Sequence, residues 1–310
     1  MRKRIGQARL HFLLLIDMMV ALLLTALFVW QPWHPDHAMA EPKIGGTLMS
    51  EEWEWDSYTR SYRTLFADCR SREDSSFYSI NFTDDLSGKP DNAWDVSADH
   101  DGSVWAWTTT RSDDGTHTVY DRWVGSDGII KLSEDATNLF ANTDVIEINF
   151  NGAVDTSNVT DMSSMFYNCT ELVSLDLSGF ETSNVTSMRL MFFSCCKLTS
   201  LDLSSFDTSN VTLMTRMFTS CEALTALNLS GFDTRSVTNM KQMFEGASAL
   251  VSLDITSFDT SNVTDVSRMF ADCSSLTEVL ISDQFVIPVG SDPFNRHSPI
   301  QSLDDCTLVN

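Results

Sequence analysis

The second half of the chain repeats one pattern of hydrophobic and polar positions every 26 residues. A Met-Phe pair recurs at this spacing, with its methionine at Met165, Met191, Met217, Met243 and Met269. Four full units cover residues 172–275, and a looser unit with one extra residue precedes them from Ile146. A unit this short cannot bury its own hydrophobic face, but stacked copies can. The period therefore predicts a solenoid over residues 134–281.

Each unit combines two spacings. The segment L-x-x-L-D-L alternates, so Leu175 and Leu177 should lie on the buried face of a short strand. The later segment places Val185, Met188, Met191, Phe192 and Cys195 three and four residues apart, as on one side of a helix. This combination predicts an α/β repeat fold: a leucine-rich-repeat solenoid with a parallel sheet on its concave face and short helices on its convex face.

Residues 41–133 show no 26-residue period. The segment from Trp55 to Cys69 follows helical spacing, whereas residues 77–82, 104–110, 119–124 and 129–132 have the composition of strands, with Asp-Gly turn signals between them. We therefore expect a small, Trp-rich, mixed α+β domain that caps the first repeat, because the open end of a solenoid needs a cover. Residues 282–310 should cap the other end.

The first 40 residues have the pattern of an export segment. Arg2, Lys3 and Arg4 precede a 19-residue apolar run over residues 12–30, and Ala38-Met39-Ala40 offers a small-x-small cleavage site. The run is long for a signal peptide and almost long enough to span a bilayer. A cleaved signal peptide and an uncleaved N-terminal membrane anchor both stay open, and both place the rest of the chain outside the cytoplasm.

Composition excludes several classes of function. The formal net charge is −23, from 43 acidic and 20 basic side chains. This balance opposes binding to nucleic acid or to anionic lipid, so the chain should contact a membrane only through its N-terminal segment. The repeats contain no histidine, and the chain has no Gly-rich phosphate loop and no G-x-S-x-G motif. We expect neither enzymatic activity nor a cofactor.

The outward positions of the predicted strands form the candidate binding surface. Asp176, Asp202, Asn228 and Asp254 should form a ladder across neighbouring strands, flanked by small polar residues. Stacked carboxylates at Asp176, Asp202 and Asp254 can coordinate Ca²⁺, but a solvated acidic strip or a docking surface for a partner explains them without a metal. The whole candidate surface comprises Ser174, Asp176, Ser178, Ser200, Asp202, Ser204, Asn228, Ser230, Asp254 and Thr256.

Two further columns of the repeat have explanations in turn formation and packing. A recurring acid, at Asp155, Glu181, Asp207, Asp233 and Asp259, favours an Asx-type turn. Cys169, Cys195, Cys221 and Cys273 share a column with Ala247, so a small buried group suffices there. Free buried thiols and disulfides between neighbouring repeats are both compatible with that column.

The segment F-D-T-S-N-V-T-x-M-x-x-M-F-x-x-C-x-x-L, from Phe206 to Leu224, resembles the 26-residue repeat of the BspA-like leucine-rich-repeat surface proteins. The similarity covers residues 139–279, and W-D-V-S-A-D-H-D-G-S-V-W-A-W, residues 94–107, is similar to the segment that precedes such repeats in Gram-positive members. The resemblance implies a bacterial cell-surface location and roles in adhesion or host contact. The chain departs from many members because no Leu-Pro-x-Thr-Gly motif precedes Asn310, which favours secretion or an N-terminal anchor over covalent attachment to the wall.

Three hypotheses about function follow. In the first, the chain is an exported adhesion protein whose solenoid binds an extracellular protein of a host or neighbouring cell. In the second, the Trp-rich domain binds a carbohydrate or wall polymer, and the solenoid is a spacer. Exposed aromatic rings can stack on sugars, but burial in the core explains the same residues. In the third, the chain is a structural stalk. The tryptophans concerned are Trp53, Trp55, Trp94, Trp105, Trp107 and Trp123.

Overall fold

The computed structural model describes residues 47–48, 55–56, 61–62, 66, 69, 75–97, 102–294 and 297–309. These residues contain sixteen strands and one short 3₁₀ helix, Leu303–Asp305. The strands are β1 (Thr47–Leu48), β2 (Trp55–Asp56), β3 (Ser61–Tyr62), β4 (Ser75–Thr83), β5 (Trp94–Asp95), β6 (Trp105–Asp113), β7 (Thr118–Gly125), β8 (Ile130–Leu132), β9 (Glu147–Asn149), β10 (Val154–Asp155), β11 (Ser174–Leu175), β12 (Ser200–Asp202), β13 (Ala226–Asn228), β14 (Ser252–Asp254), β15 (Glu278–Ile281) and β16 (Thr307–Leu308).

A six-stranded sheet precedes the repeats and continues into them, in the order β5-β6-β7-β4-β9-β11. β6 is antiparallel to β5 and β7, and β4 is parallel to β7 and β9. The strands predicted at residues 77–82, 104–110, 119–124 and 129–132 are confirmed as β4, β6, β7 and β8. The predicted turn between β6 and β7 also forms, since the Asp113 carboxylate accepts a hydrogen bond from the Gly115 amide at 2.8 Å.

The repeats stack as 26-residue coils in parallel register. Single bridges join Asp135, Asp161, Ser187, Leu213, Asn239 and Asp265 in turn. On another side of the coils, β12 pairs with β13, and β15 pairs with both β14 and β16. We call this second side the strand wall, residues 173–178, 199–204, 225–230, 251–256 and 277–282. The side that carries the bridges is the turn wall, residues 161–169, 187–195, 213–221, 239–247 and 265–273.

The turn wall contains no helix, so the predicted α/β leucine-rich-repeat fold with helices on a convex face is wrong. The amides of Met188, Leu190 and Phe192 instead donate to carbonyl oxygens of the following coil at 2.9–3.0 Å. The amides of Met191 and Phe193 donate to the carbonyl oxygen three residues earlier. Two residues of each coil, four positions apart, have left-handed backbone, with φ of 60° at Leu190 and 58° at Ser194 and similar values at their repeat equivalents. The wall is therefore a series of turns cross-linked to the next coil.

The same hydrophobic residues are buried in both arrangements, which explains the error. Met188, Met191, Phe192 and Cys195 have no exposed area, as their spacing predicts. A chain that turns at every fourth residue brings positions i, i+3, i+4 and i+7 to one side, as a helix does. The residues between them oppose a helix, because Ser, Thr and Asn favour turns and Asn tolerates left-handed backbone. Left-handed positions include Asn138, Asn142, Ser164, Asn168, Ser194 and Ser220.

One phenylalanine from each coil stacks on the next along the core. The ring centroids of Phe166 and Phe192 lie 5.5 Å apart, as do those of Phe192 and Phe218, and the planes deviate by at most 5°. The stack continues to Phe244 and Phe270 at 5.6 and 6.0 Å. Burial of such a side chain contributes about 1.5–3 kcal/mol. The stack therefore favours coils that lie in register.

A ladder of buried threonines joins the coils at the corner between the two walls. The Thr208 hydroxyl donates to the Asp233 carbonyl oxygen at 2.9 Å and accepts a hydrogen bond from the Asp233 amide at 2.8 Å. Thr156 and Thr234 make the same pair of bonds to the following coil. Each hydroxyl thus satisfies one backbone donor and one backbone acceptor that would otherwise lack a partner.

The N-terminal cap also differs from its prediction, since its described residues form strands and no helix. Trp55–Asp56 pairs antiparallel with Ser61–Tyr62, at positions expected to be helical. Apart from these strands, Phe66 and Cys69, the segment predicted as that helix lies outside the described residues. The mixed α+β description of the cap is therefore wrong for the part that the structure describes.

The predicted export segment, residues 1–40, lies outside the described residues. Within the described part of the chain, no helix has the length and apolar character needed to cross a membrane. Residues Ala40–Asn310 form one compact unit. β9 belongs to the repeats but pairs with β4 of the preceding segment, so the sheet crosses the predicted boundary at residue 133. The domain limits themselves stay predictions.

Candidate binding surface

The strand wall places the outward side chains of neighbouring coils side by side. Asp202 pairs in register with Asn228, and Ser200 with Ala226. Of the ten residues of the candidate surface, nine are exposed and Thr256 is half-buried. The strands form three separate pairings, because β11 pairs with β9, β12 with β13 and β14 with β15. The structure therefore brings Asp202 and Asn228 together, pairs Asp254 with Leu280 and places Asp176 directly after β11.

Each side chain of the ladder holds its own turn. Oδ1 of Asp176 accepts a hydrogen bond from the Ser178 amide at 3.0 Å. Asp202, Asn228 and Asp254 make the same bond to the amide two residues later, at 3.0–3.1 Å. An amide oxygen and a carboxylate oxygen therefore serve equally well at this position. The second carboxylate oxygen of each aspartate is not needed for the turn.

These turns act on the ionisation of the ladder. The hydrogen bond from the Ser178 amide lowers the pKa of Asp176, and that from the Ser204 amide lowers the pKa of Asp202. The cause is that hydrogen bonds donated to a carboxylate favour its charged form. Asp176 and Asp202 consequently keep their negative charge at neutral pH.

The carboxylates of the ladder do not converge on a common point. Within the described residues, no group of three or more His, Cys, Asp or Glu side chains is arranged to hold a metal ion. Asn228 stands between Asp202 and Asp254 along the wall. The calcium hypothesis for Asp176, Asp202 and Asp254 thus gains no support from the geometry.

The acid column at the corner forms Asx turns, as predicted. Oδ1 of Asp155, Asp207, Asp233 and Asp259 accepts a hydrogen bond from the amide two residues later, at 2.9–3.1 Å. The prediction is confirmed for these four aspartates. Their recurrence is explained by the turn and requires no ligand.

Charge is distributed unequally between the two walls. The strand wall carries no Lys, Arg or His, and its acids are Asp176, Asp202, Asp254 and Glu278. The turn wall carries four cations, Arg189, Arg216, Lys241 and Arg268, and four acids, Asp161, Glu245, Asp265 and Asp272. Arg268 forms an ion pair with Glu245, and Lys241 lies 3.3 Å from Asp265. A comparison of single columns misses this contrast, because the four cations are divided between two columns whose other members are uncharged. Counting the charges of each wall reveals it.

The cysteine column lies in the core as free thiols, and not as disulfides between coils. The thiols of Cys195 and Cys221 donate to carbonyl oxygens of the preceding coil at 3.2 and 3.1 Å. Burial raises the pKa of Cys169, Cys221 and Cys273 to about 12. Because the thiolate is the reactive form, these residues fill the core and are not nucleophiles.

The tryptophans whose side chains the structure describes lie on the six-stranded sheet. Trp107 is 4% exposed, so burial is confirmed as its explanation, whereas Trp94 is half-buried and packs against the core. Trp105 and Trp123 are half-buried. Trp53 and the side chain of Trp55 lie outside the described part of the structure.

Comparison with known proteins gives one family. A family model described as "Mycoplasma protein of unknown function, DUF285" matches residues 134–230 and, in a second placement, residues 202–286. The chain is thus similar to that family over its repeats. No curated protein and no solved structure matches the chain. The family description names no activity, so an argument about function has to start from the surface.

Proposed function

We propose that the chain is an exported binding protein of the cell surface, not an enzyme, and that it contacts an extracellular protein through the strand wall. The observation that carries the proposal is the charge contrast between the walls. The strand wall is exposed and bears acidic and neutral side chains only, whereas the turn wall has its charges balanced. Val173 and Val251, 39% and 53% exposed, lie on the same wall and add apolar contact area.

The partner that suits this wall presents Lys or Arg toward it. Opposite charges across an interface accelerate association and orient the partner. Such attraction between exposed groups weakens as salt screens it. Binding should therefore be faster at low ionic strength.

A matched pair of triple variants tests this proposal. D176N/D202N/D254N removes three charges from the strand wall, and each turn should persist because Asn228 already holds the same turn. D207N/D233N/D259N removes three charges from the corner turns and serves as the control. The assay is adhesion of beads coated with the full chain to intact host or neighbouring cells, over a range of salt concentrations.

We expect the strand-wall variant to reduce adhesion roughly 3- to 10-fold at low salt and to flatten the salt dependence. The corner variant should leave adhesion unchanged. Equal losses in both variants, or no loss in the first, would show that the strand wall is not the contact surface.

The cell-surface location is supported by the pattern of residues 1–40 and by the resemblance to BspA-like proteins. N-terminal sequencing and cell fractionation of the native protein test it. A chain that starts at Glu41 in the medium is a released binding protein, and an intact Met1 in the membrane fraction marks an anchored one. A native protein found only inside the cell contradicts the proposal.

A further inference from the structure

The six-stranded sheet has a polar face opposite Ile80, Phe82 and Val124, which lie in the core. Register places Trp123, Asn81 and Asn149 in one row across β7, β4 and β9, and Asp121, Ser79 and Glu147 in the next row. Ser79 and Asn81 are buried, while the four residues on either side of them are half-buried. We call these six residues the sheet groove. Its two rims are two strand spacings apart, about 10 Å, a width that suits a single sugar ring.

Two sets of hydrogen bonds hold the floor and the flanking polar side chains. The side-chain Nδ2 of Asn149 donates to Oδ1 of Asn81 at 2.9 Å, and Nδ2 of Asn81 donates to the Ser79 hydroxyl at 2.6 Å. Ser79 in turn donates to Asp121 Oδ1 at 2.7 Å. On the other rim, the Tyr78 hydroxyl donates to Glu147 Oε1 at 3.3 Å. A network of this kind lowers the entropic cost of binding, because the side chains are already fixed.

The aromatic rim is equally well held. Trp123 stacks on Trp107 with ring centroids 6.2 Å apart and planes 6° from parallel. The Trp123 indole N–H donates to the Thr109 hydroxyl at 3.1 Å. Trp107 is almost fully buried, so it backs the Trp123 ring and keeps it in place. The exposed part of Trp123 is therefore a rigid apolar surface beside polar groups.

The charges of the groove favour a neutral ligand. Asp121 is paired with Arg111 at 3.1 Å, and Arg111 also lies over the Tyr78 ring at 3.7 Å. Among the described residues, Arg111 is thus the single cation beside the groove, and Asp121 and Tyr78 already hold it. Asn149 Oδ1 and Glu147 Oε2 are acceptors that the network does not use. A ligand with several hydroxyl donors, an apolar face and no negative charge matches these features.

We propose that the sheet groove binds a neutral oligosaccharide, with Trp123 packed against the apolar face of one sugar ring while Asn149 and Glu147 accept hydrogen bonds from its hydroxyls. The groove shares no residue with the strand wall and takes a different ligand, although Ser174 of that wall pairs with Glu147. It does not depend on the protein partner proposed above.

The experiment measures binding of the full chain to cellotetraose, maltotetraose and N-acetylated chitotetraose by calorimetry and tryptophan fluorescence. A sialylated trisaccharide is the anionic comparison. E147Q keeps the size and the acceptor for Tyr78 but replaces the second acceptor with a donor. W123F keeps an aromatic ring, and the matched control W105F changes a half-buried tryptophan outside the groove, beside Lys89.

We expect at least one neutral oligosaccharide to bind, about 5- to 10-fold loss of affinity in E147Q and W123F, and no loss in W105F. The melting temperature of each variant confirms that it is folded. The variant D202N/D254N, whose residues lie outside the six-stranded sheet, should bind sugar normally, so failure of one proposal leaves the other standing. No binding of any neutral oligosaccharide at millimolar concentration, preference for the anionic sugar, or unchanged affinity in both groove variants overturns the proposal.

Discussion

The threonine ladder yields a quantitative prediction for the substitution Thr208→Val. Thr208 has no exposed area, and its hydroxyl serves both the amide and the carbonyl oxygen of Asp233. Valine has nearly the same shape but neither donates nor accepts a hydrogen bond. The substitution therefore leaves one backbone donor and one backbone acceptor of the following coil without their partner.

The expected loss follows from these two groups. Each buried polar group left without a partner costs about 1–3 kcal/mol. The additional methyl group of valine recovers up to about 0.8 kcal/mol of hydrophobic stabilisation. We therefore expect T208V to lower the free energy of unfolding by about 1–5 kcal/mol. T208S, which keeps the hydroxyl, should lose less.

Urea unfolding followed by circular dichroism measures this free energy, and T212V is the matched control. Thr212 is exposed, and its hydroxyl donates at 3.1 Å to the Thr186 carbonyl oxygen, which the Thr212 amide also reaches at 2.8 Å. T212V thus leaves that oxygen with a partner and should cost less than about 0.5 kcal/mol. Equal losses in T208V and T212V would refute the argument that the ladder joins the coils.

Three further predictions concern the coils. Gly231→Ala should cost about 1–3 kcal/mol in a urea titration, because its Cβ would press against the Ser204 carbonyl oxygen, whereas Gly179→Ala, at the equivalent position with open space, should be nearly neutral. Leu190→Asn should raise stability by about 0.5–1 kcal/mol, because φ of 60° suits asparagine better than leucine; a loss would contradict this reading of the turn wall. Hydrogen bonds from Ser209 lower the pKa of Asp207 in the folded state. The Asp207 carboxylate therefore contributes to stability above its ordinary pKa of about 3.9, and this contribution is lost as pH falls through the lower pKa of the folded state. The advantage of the wild type over D207N in urea unfolding should accordingly shrink between pH 6 and pH 3, and a constant difference would count against it.

Burial in the repeats is predictable from the sequence, but backbone conformation on the turn wall is not. Alternation correctly assigns Leu177 to the core, and the spacing of three and four correctly assigns Phe192. That spacing occurs both in a helix and in a series of turns with two left-handed residues four positions apart, so it does not distinguish the two. What decides between them is the bond from the Phe192 amide to the Met217 carbonyl oxygen, a partner 25 residues away that no local pattern reveals.

Of the two candidate surfaces, the strand wall is predictable from the sequence and the sheet groove is not. Exposure of Asp202 and Asn228 follows from strand alternation, and the repeat period gives their adjacency. The sheet groove could not be predicted, because it joins Ser79 to Asp121 and Asn81 to Asn149, pairs 42 and 68 residues apart outside any repeat. Only the pairing order of the six-stranded sheet brings these residues together.

Identical stacking from coil to coil has a consequence for how such a gene can change. Each coil presents to its successor nearly the same phenylalanine ring and threonine hydroxyl that it receives from its predecessor. Unequal recombination that adds or removes one whole unit therefore joins two surfaces that already fit. An in-frame insertion or deletion of part of a unit does not join matching surfaces, because it shifts every later phenylalanine ring out of the stack. Related genes should accordingly differ in length by multiples of the unit, and the reach of the strand wall should vary in steps while its chemistry stays constant.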